Sequence, residues 1–212
     1  MVLLEYWDEL CSVVTVILVG VMSPGPDWAI VIKNSLKNSR RAGMWAALGI
    51  AMGVIVHISY CILGIGMLLS QCHLLFKGVK FIGGSYLCFL GYKGLRSKSE
   101  AINLDVKEME VQDKKNHFTA FKEGVFTNIF NPKCTLFFLS LFSLVIDPIT
   151  PIYVQILYGL AAVIVTAVWF CLLALVFSHE KFYEKLFPIQ HWIQRFFGML
   201  LIFLGIYFVF IG

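Results

Sequence analysis

Asp27 and Lys133 are ionisable residues set inside long apolar runs, each beside residues that break helices. The first lies in Ser23-Pro24-Gly25-Pro26-Asp27 and the second in Asn131-Pro132-Lys133. A charge at the centre of a bilayer costs about 2.5–3.5 kcal/mol or more, so such residues are expected to face a protein interior and to mark a functional site. The prolines add free acceptors. Pro24, Pro26 and Pro132 have no N–H, which leaves the carbonyls four residues earlier, on Gly20, Met22 and Asn128, without their helical partners. Ser23 and Asn131 are good N-cap residues, and proline is favoured at the first helical position. Each Ser-Pro or Asn-Pro pair therefore reads as the end of one half-helix and the start of another.

The chemistry open to two such breaks is the binding of a zwitterion. Half-helix N-termini carry partial positive charge and suit a carboxylate. Freed carbonyls and the Asp27 carboxylate suit an ammonium group, and Lys133 adds a positive charge. An amino acid carries both complementary groups. Other roles stay open: Asp27 answering its own helix dipole or moving a proton, Lys133 neutralising Asp27 or snorkelling to a headgroup. His57 lies four residues beyond Gly53 on the same helical face. It is either a hydrogen-bonded interior residue or a proton relay, and the ordinary histidine pKa of about 6.5 suits the second role. Asn128 and Asn131 are expected to cap and bridge the broken backbone. The candidate substrate-binding or coupling residues are thus Ser23, Pro24, Gly25, Pro26, Asp27, His57, Asn128, Asn131, Pro132 and Lys133. Trp28, Tyr86 and Trp169 read as packing or interfacial residues.

The elements that position these residues follow from composition. The chain has 212 residues, 59% apolar and 14% charged, against about 45–50% and about 25% in soluble domains. It reads as an all-α integral membrane protein. A span takes about 20 apolar residues, which gives six: residues 10–32, 42–70, 76–95, 118–146, 152–177 and 192–211. The first is interrupted at Ser23 and the fourth at Asn131. Residues 1–212 form one membrane domain, with three helices in 1–95, a polar loop at 96–116 and three helices in 117–212. Gly49 and Gly53 allow a neighbouring helix to approach closely. They also leave open a possible homo-oligomer, as do Gly198 and Gly205.

Other classes are excluded or disfavoured. The formal charge of +4 is spread over short loops, which does not suit nucleic acid. Six cysteines form no Cys-x-x-Cys pair and read as small buried apolar residues, so neither metal nor cofactor is expected. Glu5, Asp8 and Glu9 stand where a leader peptide would be basic. Fourteen of the seventeen lysines and arginines belong to one set of loops and their borders, which marks that side as cytoplasmic and both termini as outside.

Two internal matches suggest a repeat. Ser23-Pro24 pairs with Asn131-Pro132, about half the chain away. Gly84-Ser85-Tyr86-Leu87-Cys88-Phe89-Leu90-Gly91 shares five of eight residues with Gly198-Met199-Leu200-Leu201-Ile202-Phe203-Leu204-Gly205. Three spans per half make the halves inverted in the membrane. Inverted 3+3 repeats with broken helices one and four meeting near the midplane are a recurring plan of secondary transporters.

The same motifs resemble the LysE/RhtB family of amino-acid exporters. The resemblance rests on Ser23-Pro24-Gly25-Pro26-Asp27, on Arg40-Arg41-Ala42-Gly43 leading to Gly49, Gly53 and His57, on Tyr86 to Gly91, and on Phe121, Gly124, Asn128, Asn131, Pro132 and Lys133 in that order. The chain departs from the family pattern at Cys134-Thr135 and at Phe142-Ser143-Leu144. The resemblance implies a transporter rather than an enzyme, exporting amino acids or their derivatives across the bacterial inner membrane and coupled to protons. One half would rock against the other. A membrane thiol–disulfide electron carrier is a second possibility, with Cys134 beside the break and Cys11 as partner. Thirteen residues from Cys11 to Pro24 put about 20 Å of helix between Cys11 and the break, which disfavours the pair. A membrane scaffold or accessory subunit would not explain two costly mid-membrane breaks.

Overall fold

The computed structural model describes residues 6–71, 73–96, 116–147, 149–178 and 189–210. Cys72, nearly all of the polar loop expected at 96–116, and most of the charged link before the last span lie outside the described residues. Among the described residues the protein is all helix. The helices are α1 (Trp7–Met22), α2 (Pro26–Lys37), α3 (Arg40–Gln71), α4 (His73–Leu95), α5 (His117–Ile129), α6 (Pro132–Leu144), α7 (Ile152–Val176) and α8 (Gln190–Phe210). Among the described residues two are long and apolar enough to cross a bilayer alone, over Arg40–Gly64 and Ile152–Val176, and each bent pair adds one more candidate span, for two to four.

Both expected breaks are present. α1 and α2 meet at 59°, α5 and α6 at 58°. The first break is displaced from its expected register. Ser23 closes α1, with its N–H 3.3 Å from the Gly20 carbonyl, and does not cap α2. The N-cap of α2 is Gly25, and Pro26 takes the first helical position. The cause is local sterics, because a residue before proline is pushed out of the helical region. Ser23, before Pro24, is extended at φ −76°, ψ 113°. Gly25, before Pro26, is extended at φ −178°, ψ −164°. In the second break Asn131 is extended at φ −78°, ψ 107°, and its side chain accepts the Lys133 N–H at 3.0 Å. Gly25-Pro26-Asp27 therefore matches Asn131-Pro132-Lys133, and Asp27 and Lys133 hold the same position in their half-helices.

Small residues set the closest helix pairs. α3 and α5 meet backbone to backbone at Gly49 and Gly124, where an added Cβ on Gly49 would lie 3.0 Å from the Val125 nitrogen. Gly53 faces the Asn128 side chain, whose Oδ1 would stand 2.6 Å from an added Cβ. α4 and α8 cross antiparallel at the matched octets. A Cβ on Gly198 would lie 2.6 Å from the Gly91 carbonyl, and one on Gly205 2.8 Å from the Gly84 carbonyl. The glycine faces read as open for a second copy are thus occupied within the chain.

Apolar clusters lie on both sides of the breaks, one around Ile17, Val54, Leu141 and Val154, the other around Val31, Ile50, Phe170 and Ala174. At the far end of α1, Glu9 ties three elements together. Its carboxylate accepts from Tyr158 Oη at 2.8 Å, from Thr150 Oγ1 at 3.0 Å, and from the Asp147 N–H.

The α4–α8 crossing makes a specific demand on residue size. Gly198→Leu is expected to cost about 1–3 kcal/mol through overpacking and to lower the melting temperature in detergent. Gly64→Ala, where an added Cβ meets nothing within 4 Å, is expected to leave it nearly unchanged.

Candidate functional site

Asp27 is the buried charge around which the site is built, with 7% of its surface exposed. A carboxylate taken out of water needs several donors. Asp27 receives Asn128 Nδ2 at 2.8 Å and Cys134 Sγ at 3.2 Å on Oδ2, and Asn131 Nδ2 at 3.2 Å on Oδ1. All three come from α5, α6 and the break between them. The carboxylate of α2 thus occupies the first turn of α6, where the sequence reading placed a substrate carboxylate.

Lys133 makes the opposite crossing. Its ammonium donates to the Ser23 carbonyl at 2.7 Å and to the Pro24 carbonyl at 3.4 Å. It answers the main chain of the first break rather than the Asp27 carboxylate. The acceptors differ from those expected. Gly20 O takes the Ser23 N–H, and Asn128 O takes the Asn131 N–H at 3.0 Å and His57 Nε2 at 3.1 Å. The turns that close α1 and α5 consume both carbonyls, and the free oxygens move on to Ser23 and Pro24.

His57 is buried, with its ring stacked on Phe138 at a centroid distance of 5.6 Å. Nδ1 lies 2.6 Å from Tyr60 Oη and Nε2 3.1 Å from the Asn128 carbonyl. A carbonyl only accepts, so Nε2 carries the proton, and in the neutral ring Nδ1 accepts from Tyr60. The imidazole therefore positions the residue that holds Asp27. Gly53 leaves the room that Asn128 needs. Of the three aromatic residues read as packing, Trp28 does pack, on Trp169 at 5.9 Å and Phe177 at 6.4 Å. Trp28 also lines the cavity at the breaks and Tyr86 lines the adjoining cleft.

Two spaces adjoin the breaks. A cavity of about 40 Å³ is lined by Asp27, Trp28, Val54, Phe137, Thr166 and Phe170, among others. A cleft of about 770 Å³ runs from Pro26 and Pro132 past Tyr86 and Phe89 to Lys93 and Gln194. Ser23, Gly25, Asn131 and Lys133 line both spaces and form the wall between them. Cys134, Tyr60 and Thr166 are the site residues that the sequence reading missed. Cys134 was noted only as a departure and a redox candidate; here its thiol donates to Asp27. Among the described residues the cysteines are free, and Cys11 is exposed.

The donors of Asp27 act as a set. Asn128→Ala leaves a buried carboxylate one donor short, an expected cost of about 1.5–3 kcal/mol. In an Asp27→Ala background the same change is expected to cost at least about 1 kcal/mol less. Unfolding in detergent of the two single variants and the double variant measures this coupling.

Residues 18–212 match the family described as LysE type translocator. The chain is 31% identical over 202 residues to the threonine efflux protein of Escherichia coli (strain K12), covering 93% of this chain and 96% of that one. It is 30% identical over 200 residues to the threonine efflux protein of Salmonella typhi, with 93% and 96% covered. It is 28% identical over 203 residues to the uncharacterized membrane protein YrhP of Bacillus subtilis (strain 168), with 93% and 97% covered. No solved structure matches. Match length and identity together show that the chain belongs to the LysE type translocator family, a family of membrane transporters and not of enzymes.

Proposed function

We propose that the protein exports amino acids or their derivatives from the cytoplasm by alternating access, coupled to the proton gradient, with the two breaks as its substrate site. The observation that carries this reading is the exchange of charges between the breaks. The first break holds an ammonium, that of Lys133, on the Ser23 and Pro24 carbonyls. The second holds a carboxylate, that of Asp27, on Asn128 and Asn131. Each break is thus already built for one half of a zwitterion, and an amino acid competes for the same donors and acceptors. Relatives named threonine efflux protein make L-threonine the first substrate to try.

The topology proposed with it has six spans in two inverted halves. Near-equal bends of 59° and 58° support this, as do the reciprocal contacts between Gly84 and Gly205 and between Gly91 and Gly198. The basic loops favour a plasma-membrane protein with both termini outside. In that orientation the wide cleft leads to the cytoplasmic ends of α4 and α8, at Lys93 and Gln194. The Glu9 clasp lies at the outer end, so the arrangement is inward-facing and suited to loading. Asp27 is the proposed proton-coupling group, with His57 as its support.

Purified protein in liposomes tests the reading. Labelled L-threonine is expected to move faster when a pH gradient opposes it in exchange for protons, and Asp27→Asn is expected to abolish the response to the gradient. Wild-type rates in that variant at every external pH would remove Asp27 from coupling. Absence of flux for every amino acid tried would remove the export reading.

A further inference from the structure

Thr166 has no role in the network just described, yet it shares the cavity with Asp27. It is 1% exposed, and its hydroxyl has no hydrogen-bond partner. A helical Ser or Thr ordinarily returns its hydroxyl to a carbonyl one turn back. Ser12, Thr15, Ser35, Ser59 and Ser140 all do so here, each at 2.7–2.9 Å. Thr166 has the same opportunity in the middle of α7 and does not take it. A buried hydroxyl left unpaired costs about 1–3 kcal/mol, and this one lies in a cavity of about 40 Å³. Such a space is about the liquid volume of one water, so it admits only a small side-chain terminus. The rest of its lining is mainly apolar, from Val21, Val54, Phe137 and Phe170.

We infer that Thr166 is the residue that reads the substrate side chain, favouring an amino acid with a short side chain that ends in a hydroxyl. The inference rests on the amino-acid export proposed above. A zwitterion held at the breaks lies against the wall of Ser23, Gly25, Asn131 and Lys133 that the two spaces share. Its side chain enters either the wide cleft or the small cavity. The cleft, about 770 Å³, is too large to discriminate by size. The cavity discriminates by volume through its aromatic walls and by chemistry through Thr166. Among the residues lining it, the Thr166 hydroxyl and the Asn128 Oδ1 are buried without a hydrogen-bond partner. Asn128 is already fixed by its amide on Asp27 and can only accept at Oδ1, so Thr166 is the group there able both to donate and to accept.

The test uses L-threonine, L-valine and L-serine as probes in liposomes, with wild type, Thr166→Val and Thr166→Ser. Thr166→Val keeps the shape and removes the hydroxyl. It is expected to lower kcat/KM for L-threonine about threefold to tenfold, mainly through KM, corresponding to one hydrogen bond, and to leave L-valine unchanged. Thr166→Ser is expected to retain the preference. The melting temperature of Thr166→Val is expected to equal or exceed that of wild type, because a buried unpaired hydroxyl is removed and no protein partner is lost. If the wild type transports L-threonine and Thr166→Val has the same probe profile, the inference is overturned. It is also overturned if Thr166→Val slows all probes equally with a lower melting temperature, which would be a structural role. If the wild type moves no amino acid at all, the export reading fails first.

Discussion

A carboxylate buried at membrane depth has to be met by donors, and Asp27 finds its three side-chain donors on the far side of the molecule's central break. That one requirement orders much of the structure. α2 reaches its position only when α5 and α6 are in theirs. Asn128 presents its amide only while Gly53 leaves room and His57 holds its carbonyl. Residues of α2, α3, α5 and α6 therefore depend on one group. In water each of these bonds would be exchanged for hydration at little net gain. In a low-dielectric interior the same bonds are hard to give up.

Lys133 completes the arrangement from the other direction, and the two crossings explain why breaks in apolar helices are tolerated. Breaking a helix leaves main-chain acceptors without donors, a severe cost in lipid. Here the turn at Ser23 consumes one carbonyl, and the Asn131 turn with His57 consumes another. The lysine ammonium takes the carbonyls of Ser23 and Pro24. Family membership makes the protein a membrane transporter. The geometry adds where the charged side chains sit at the breaks and what holds each of them.

The charged and broken positions were legible in the sequence because each is expensive in an apolar helix. Asp27, Lys133, Asn128, Asn131 and the prolines stand out for that reason, and the structure brings all of them together. The register of the first break was not legible. Ser23-Pro24-Gly25-Pro26 offers two prolines able to open a helix, and the choice falls on the second because each proline forces its predecessor to stay extended. Thr166 and Cys134 were illegible for the opposite reason. A hydroxyl or thiol costs little in a helix, where it usually returns to its own backbone, so its type carries no signal. Only the missing partner of Thr166 and the aspartate beside Cys134 reveal them. Among the described residues, four of the six expected spans have matching candidates by length and apolarity.

The glycine contacts have a kinematic consequence. The tightest backbone approaches, α4 on α8 and α3 on α5, each join a helix from residues 1–95 to one from residues 117–212. Carbonyl oxygens packed against glycine Cα atoms leave little slack for sliding or separation. The two sequence halves are therefore laced together at these contacts, which an independent swing of either half would have to break. A motion that kept these contacts would divide the molecule along a different line, with each block drawing helices from both ends of the chain, and the bends at residues 23–25 and 130–131 are where such blocks would turn.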